Sequence, residues 1–143
     1  MIFFAVVDIL EITEEDGLSD QKVEAQSIIR LILSFEFVFA LYLIKNILRI
    51  INKLSIALQK KKKNQDIINA MDLVKVSEQR LQVMRYDEWK SLLTDVSSFY
   101  IKHDIPMLNM YKIFVVSRRL RRNTLNLHYY RVELFYTVID LQL

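Results

Sequence analysis

Cysteine is absent from this 143-residue chain, and glycine and proline occur once each. Without a thiol there is no disulfide, no thiolate metal site and no cysteine nucleophile. Neither a Walker loop nor GxGxxG can be written with Gly17 alone, so the glycine-rich phosphate loops are excluded. Hairpin-rich β folds and parallel α/β folds place glycine at their turns, and its scarcity points instead to long helices joined by a few polar connections. Only two histidines occur, His103 and His128, in different segments and without HxxxH or HExxH spacing. No metal site is expected from them. Nothing in the pattern calls for a cofactor, and no small-molecule substrate is expected.

The start of the chain carries neither a basic region nor a small-residue cleavage site, so it does not read as a secretory signal. It begins inside a hydrophobic run, as a fragment of a larger polypeptide would. At 52% apolar residues the sequence is too hydrophobic for intrinsic disorder, and its length suits one domain.

The most apolar stretch is Ile28 to Leu58. A spanning helix needs ~20 predominantly apolar residues. Glu36 aside, the longest run here without a formal charge is Leu31 to Ile44. Arg30, Glu36, Lys45, Arg49 and Lys53 recur through the stretch, and each charge at the bilayer centre costs roughly 2.5–3.5 kcal/mol. A membrane span is therefore disfavoured against a buried helix of an all-α domain. From Lys45 onward, Ile47, Leu48, Ile51, Leu54, Ile56 and Leu58 keep near-helical spacing, while Lys45, Arg49 and Lys53 step by four along one face. Ser34-Phe35-Glu36-Phe37 is the weak point, where a kink or a break between two helices is expected.

The periodicity predicts helices over residues 2–15, 20–60, 65–85, 87–103 and 127–143, packed as a bundle, with residues 104–126 as the one irregular connection. Ile2 to Ile12 is apolar enough for a buried helix or a strand; as a helix, Phe3, Val6, Val7 and Leu10 share a face and Gly17 ends it, and Ser19 or Asp20 would cap the second. Ile67, Met71, Val74, Leu81 and Met84 form the stripe of the 65–85 helix. Trp89, Leu92, Leu93, Val96, Phe99 and Tyr100 form that of the next, with Asp87 as cap and Pro106 as stop. Trp89 reads as a core anchor, and Asp87, Glu88 and Asp95 fall on that helix's outer face. Carboxylates for metal-assisted hydrolysis must converge from separate elements, and no such pair is visible. Ile113 to Val116 is a short β-prone piece within the connection. In the last helix Tyr129, Val132, Tyr136, Ile139 and Leu143 step three, four, three, four, up to the final residue without a cap.

Net charge is +3, and it is unevenly distributed. Lys60, Lys61, Lys62 and Lys63 form one run, readable as a solvated helix end, as a phosphate contact or as a nuclear-import signal. Arg118, Arg119, Arg121 and Arg122 are the densest positive cluster. They read either as a solvated loop or as nucleic-acid contacts, since arginine forks suit phosphate oxygens. DNA is thus one candidate partner. Another is a second copy or a full-length relative, docked on the Ile28 to Leu58 face, for which Phe37, Leu41 and Ile44 are the interface candidates.

A resemblance sharpens these expectations. The strings QDIINAMDLVKVSEQRLQVMR, DEWKSLLTDVSSFYIKHDIPMLNM, IFVVSRRLRR and NLHYYRVELFYTVIDLQL, in that order, closely resemble plant zinc finger MYM-type-like, or TTF-type, proteins. These are relatives of hAT-superfamily transposases. The segment from Val6 to Gln59 looks like the stretch that precedes this block, so the likeness covers nearly the whole chain. In such transposases an RNase H-like core with three catalytic acids is interrupted by a long helical insertion, and this chain looks like part of that insertion. The resemblance implies a nuclear, non-catalytic fragment. The first two catalytic acids and the CxxH motif would lie before Met1, and the last glutamate and the dimerisation region beyond Leu143, so no catalytic residue carries over. The lysine run and Tyr111-Lys112 depart from the family pattern, which has a short polar sequence and acidic residues there.

Overall fold

The computed structural model describes residues 2–60, 67–115 and 124–143, and the fold is all-α. It divides into two units, residues 1–40 and 41–143, where one helical region was expected.

In the first unit, α1 (Ile2–Asp16) and α2 (Ser19–Ile32) pack as a hairpin. The Gly17 amide donates to the Thr13 carbonyl at 2.9 Å, and a Cβ at position 17 would stand 2.5 Å from that oxygen. Close approach, not a left-handed backbone, is what requires glycine there. The expected caps Ser19 and Asp20 fall inside the helix; Leu18 holds the cap position, and its amide donates to Gln21 Oε1 at 3.1 Å. Across the hairpin Gln26 donates to Glu14 at 3.0 Å, and the Lys22 ammonium donates to the Glu15 carbonyl.

The helix expected over 20–60 is broken. Helix α2 stops at Ile32 and α3 runs Phe35–Lys60, with a 56° bend between them. Ser34 is the cause: its hydroxyl donates to the Leu31 carbonyl at 2.7 Å and accepts from the Phe37 amide at 3.3 Å, closing one helix and capping the next. Among the described residues no single helix is long and apolar enough to cross a membrane; α2 and α3 satisfy length and composition only as this bent pair.

Helix α3 is apolar on two sides. Val38, Phe39, Leu43, Ile47 and Ile50 are buried. About 140° round the helix, Leu41, Ile44, Leu48 and Ile51 are exposed. A buried helix with a charged face along Lys45, Arg49 and Lys53 was expected; one apolar face is covered and a second apolar line is exposed.

In the second unit, α4 (Ile67–Asp87) buries Leu81 and Met84 in its last turns, whereas Met71 and Val74, expected in the same stripe, are exposed. Helix α5 (Trp89–Lys102) buries Trp89, Leu92, Val96, Phe99 and Tyr100, with Leu93 half-buried. Asp87 closes α4 instead of capping α5; Glu88 takes the cap position without a side-chain cap bond. Helix α5 ends at Lys102, before Pro106. Asp104 adopts a left-handed φ of 52°, and the Ile105 amide donates back to Tyr100 at 3.0 Å.

A short ladder pins the two ends of the expected connection. Ile113 bridges Leu125, Phe114 N–H donates to Thr124 at 2.7 Å, and Asn126 N–H donates to Lys112 at 2.9 Å. The β-prone piece thus forms one bridge and, among the described residues, no strand. The buried Asn126 amide donates to the Asn109 carbonyl at 2.8 Å, and the Phe114 ring stacks on Tyr129 at 3.7 Å.

The last helix, α6, spans residues 126–140: an α turn at Asn126–His128, a π-helix at Tyr129–Tyr136 and an α turn at Thr137–Asp140. Its buried positions are Asn126, Tyr130, Phe135 and Ile139, stepping four, five, four. The expected face was Tyr129, Val132, Tyr136, Ile139 and Leu143. The i to i+5 winding turns that register aside, leaving Val132 and Leu143 exposed. Thr137 Oγ1 donating to the Val132 carbonyl at 3.2 Å shows the same five-residue step. Phe135 meets Trp89 edge-on at 5.4 Å, and Arg85 of α4 grips Asp140 with Nε and Nη2 at 2.6 and 3.2 Å.

Candidate functional site

Helix α3 carries Lys45, Arg49 and Lys53 one turn apart. The first is engaged locally, its ammonium 5.3 Å from the centre of the Tyr42 ring, which in turn meets Phe99 edge-on at 6.4 Å. Burial, and secondarily the charge of Asp95, pushes the Tyr42 hydroxyl above its ordinary pKa.

The other two cations face a cleft of about 460 Å³ between α3 and α4. From α3 it receives Arg49, Lys53 and the buried Ile50. From α4 come Val76, Gln79, Arg80 and Val83, which recur at three- and four-residue steps and so share one face. Glu88, at the junction with α5, supplies the one carboxylate. Arg49, Lys53 and Arg80 are exposed, and among the described residues none of them has an ion-pair or hydrogen-bond partner. By contrast Arg85, one turn beyond Arg80, is held by Asp140, and that hydrogen bond raises its pKa.

The residues expected to contact DNA are not part of this cleft. Lys61, Lys62, Lys63, Arg118, Arg119, Arg121 and Arg122 lie outside the described residues; Lys60 ends α3, and its side chain also lies outside them. The interface candidates are described. Phe37, Leu41 and Ile44 are 37%, 40% and 50% exposed, with Leu48 and Ile51 continuing the line on α3. Phe37 is in the first unit, where its ring stacks on Phe3 at 6.5 Å. The sequence places Arg49 and Lys53 on one face and Glu88 on the outer face of its helix, but does not single out Gln79 or Arg80. For Gln79 and Arg80 the sequence signal is the i, i+3 and i+4 spacing with Val76 and Val83 on α4, which does not say what they face.

Among the described residues, no group of three histidine or acidic side chains is placed to hold a metal ion. Asp87, Glu88 and Asp95 do not converge on one point: Asp95 and Asp87 are exposed, and Glu88 alone turns into the cleft. The class defined by these elements is an all-α protein with a basic cleft. Comparison with family models, with curated proteins and with solved structures finds no match to this chain.

Proposed function

We propose that this chain is a non-catalytic, hAT transposase-derived helical region of plant origin that works in the nucleus by sequence-independent contact with DNA phosphates. The observation that carries the reading is the segregation of charge between the two units. Residues 1–40 hold two of the 20 Lys and Arg and eight of the 17 Asp and Glu, a net −6; residues 41–143 hold the other 18 and nine, a net +9. A basic unit of this kind attracts a polyanion far more strongly than a whole-chain charge of +3 would indicate. The zinc finger MYM-type-like strings quoted above support the family.

Binding to mixed-sequence duplex, followed by fluorescence anisotropy over a salt series, tests the proposal. Neutralising about five phosphates gives a slope of log K against log salt near −4.5, whatever the sequence. Glutamine at Lys60 to Lys63 and at Arg118, Arg119, Arg121 and Arg122 is expected to flatten that slope. Affinity indifferent to salt, or unchanged in the glutamine variant, overturns the reading.

A second reading, self-association, is favoured by one observation. The exposed Leu41, Ile44, Leu48 and Ile51 step three, four, three, the spacing by which one helix packs along another.

A further inference from the structure

We propose that Arg49, Lys53 and Arg80 form a seat for a phosphate monoester dianion, such as the terminal phosphate of a nucleic-acid strand. This rests in part on the DNA reading above, but it concerns a different place in the molecule from the clusters at residues 60–63 and 118–122.

Three facts carry it. First, the cations converge from two helices on one hollow, and among the described residues none of the three is held in an ion pair or hydrogen bond. Arg49 and Lys53 lie at i and i+4, where like charges repel along a helix, and Arg80 faces them from α4. An anion in the cleft removes that repulsion. Second, the net charge of the lining is +2, three cations against Glu88. That matches a phosphate monoester, which carries about −1.5 to −2 at neutral pH, better than an internal diester with its single charge. Third, a hollow of about 460 Å³ is the size of a small-ligand site. One nucleotide unit fits a hollow of that volume. Two arginine forks grip the phosphate oxygens, Lys53 adds a point charge, and the Gln79 amide and the Glu88 carboxylate face the sugar hydroxyls.

The test uses the full chain and three probes: a short mixed-sequence single strand with a 5′-phosphate, the same strand with a 5′-hydroxyl, and a deoxynucleoside 5′-monophosphate. The phosphorylated strand is expected to bind about tenfold more tightly than its hydroxyl twin, the range of one charge-assisted hydrogen-bond set. The double variant Arg49→Gln, Arg80→Gln loses that advantage; Lys75→Gln, which removes one charge from α4 outside the cleft, keeps it. The three substituted side chains, Arg49, Arg80 and the control Lys75, are exposed, and the circular dichroism of each variant is expected to match the parent.

An advantage that is absent in the parent, with no binding of the monophosphate, overturns the seat, and the salt dependence of the hydroxyl strand then judges the DNA reading by itself. An advantage that survives in the double variant overturns it too. If the monophosphate binds and the double variant abolishes this, while the strand end confers nothing, the seat stands for a small phosphorylated molecule and no longer supports the DNA reading.

Discussion

Substituting Phe135 and Val132 in turn asks which register α6 keeps. In a regular α-helix the 3.6-residue pattern places Val132 in the core. The π-helical turn instead buries Phe135 completely and leaves Val132 40% exposed. Phe135→Ala removes a ring that meets Trp89 edge-on at 5.4 Å and empties a site closed to solvent. Large-to-small changes of this kind cost about 3–5 kcal/mol. The aromatic pair is worth ~0.5–1.5 kcal/mol of interaction beyond the area it buries. Val132→Ala, on the surface, is expected to stay within ~0.5 kcal/mol. Against a total stability of ~5–15 kcal/mol the first change is severe, and at ~2–4 °C per kcal/mol it lowers Tm by roughly 6–20 °C. Far-ultraviolet circular dichroism during urea and thermal unfolding measures both variants. Should Phe135→Ala leave no folded population, Phe135→Leu supplies a milder step in the same direction. Trp89, the only tryptophan, reports the local change through its fluorescence. A Val132→Ala cost equal to or above that of the Phe135 variant would refute the π register.

Burial pushes the Tyr100 hydroxyl from its ordinary 10.0 up to about 12. The neutral phenol is therefore favoured in the fold. Its contribution is fully present below pH 10 and is lost between pH 10 and about 12, where the unfolded chain releases the proton first. A rise from 10.0 to about 12 corresponds to about 2–3 kcal/mol at most. Alkaline unfolding compared with Tyr100→Phe checks this; equal loss of stability in both proteins would show that the phenol is not responsible. Self-association through α3 predicts that the chain scatters light as a dimer or larger, and that Leu41→Glu with Ile44→Glu reduces it to a monomer while leaving the salt dependence of DNA binding intact. A parent that is monomeric at high concentration removes that reading.

Some of this structure is written in local chemistry. The i, i+3, i+4 stripe of α5 needs no context, because a 3.6-residue period and one buried face determine it. The interruption near Ser34 is legible for a similar reason: a hydroxyl between two apolar runs can serve the end of one helix and the start of the next. Scarce glycine and proline and absent cysteine already indicated an all-α chain. Other features depend on partners far away in sequence. Periodicity names the apolar side chains of α4 but not the turns that receive cover, so Met71 and Val74 stay exposed while Leu81 and Met84 are buried. The π winding of α6 depends on what it packs against, and that shifts the buried register to Tyr130 and Phe135. The cleft is of the same kind. Composition and spacing determined that Arg49 and Lys53 share a face of α3. Only the placement of α4 across the cleft from it decided that Arg80 and Glu88 face the same hollow, because the interaction of charges is set by distance in space and not by separation along the chain.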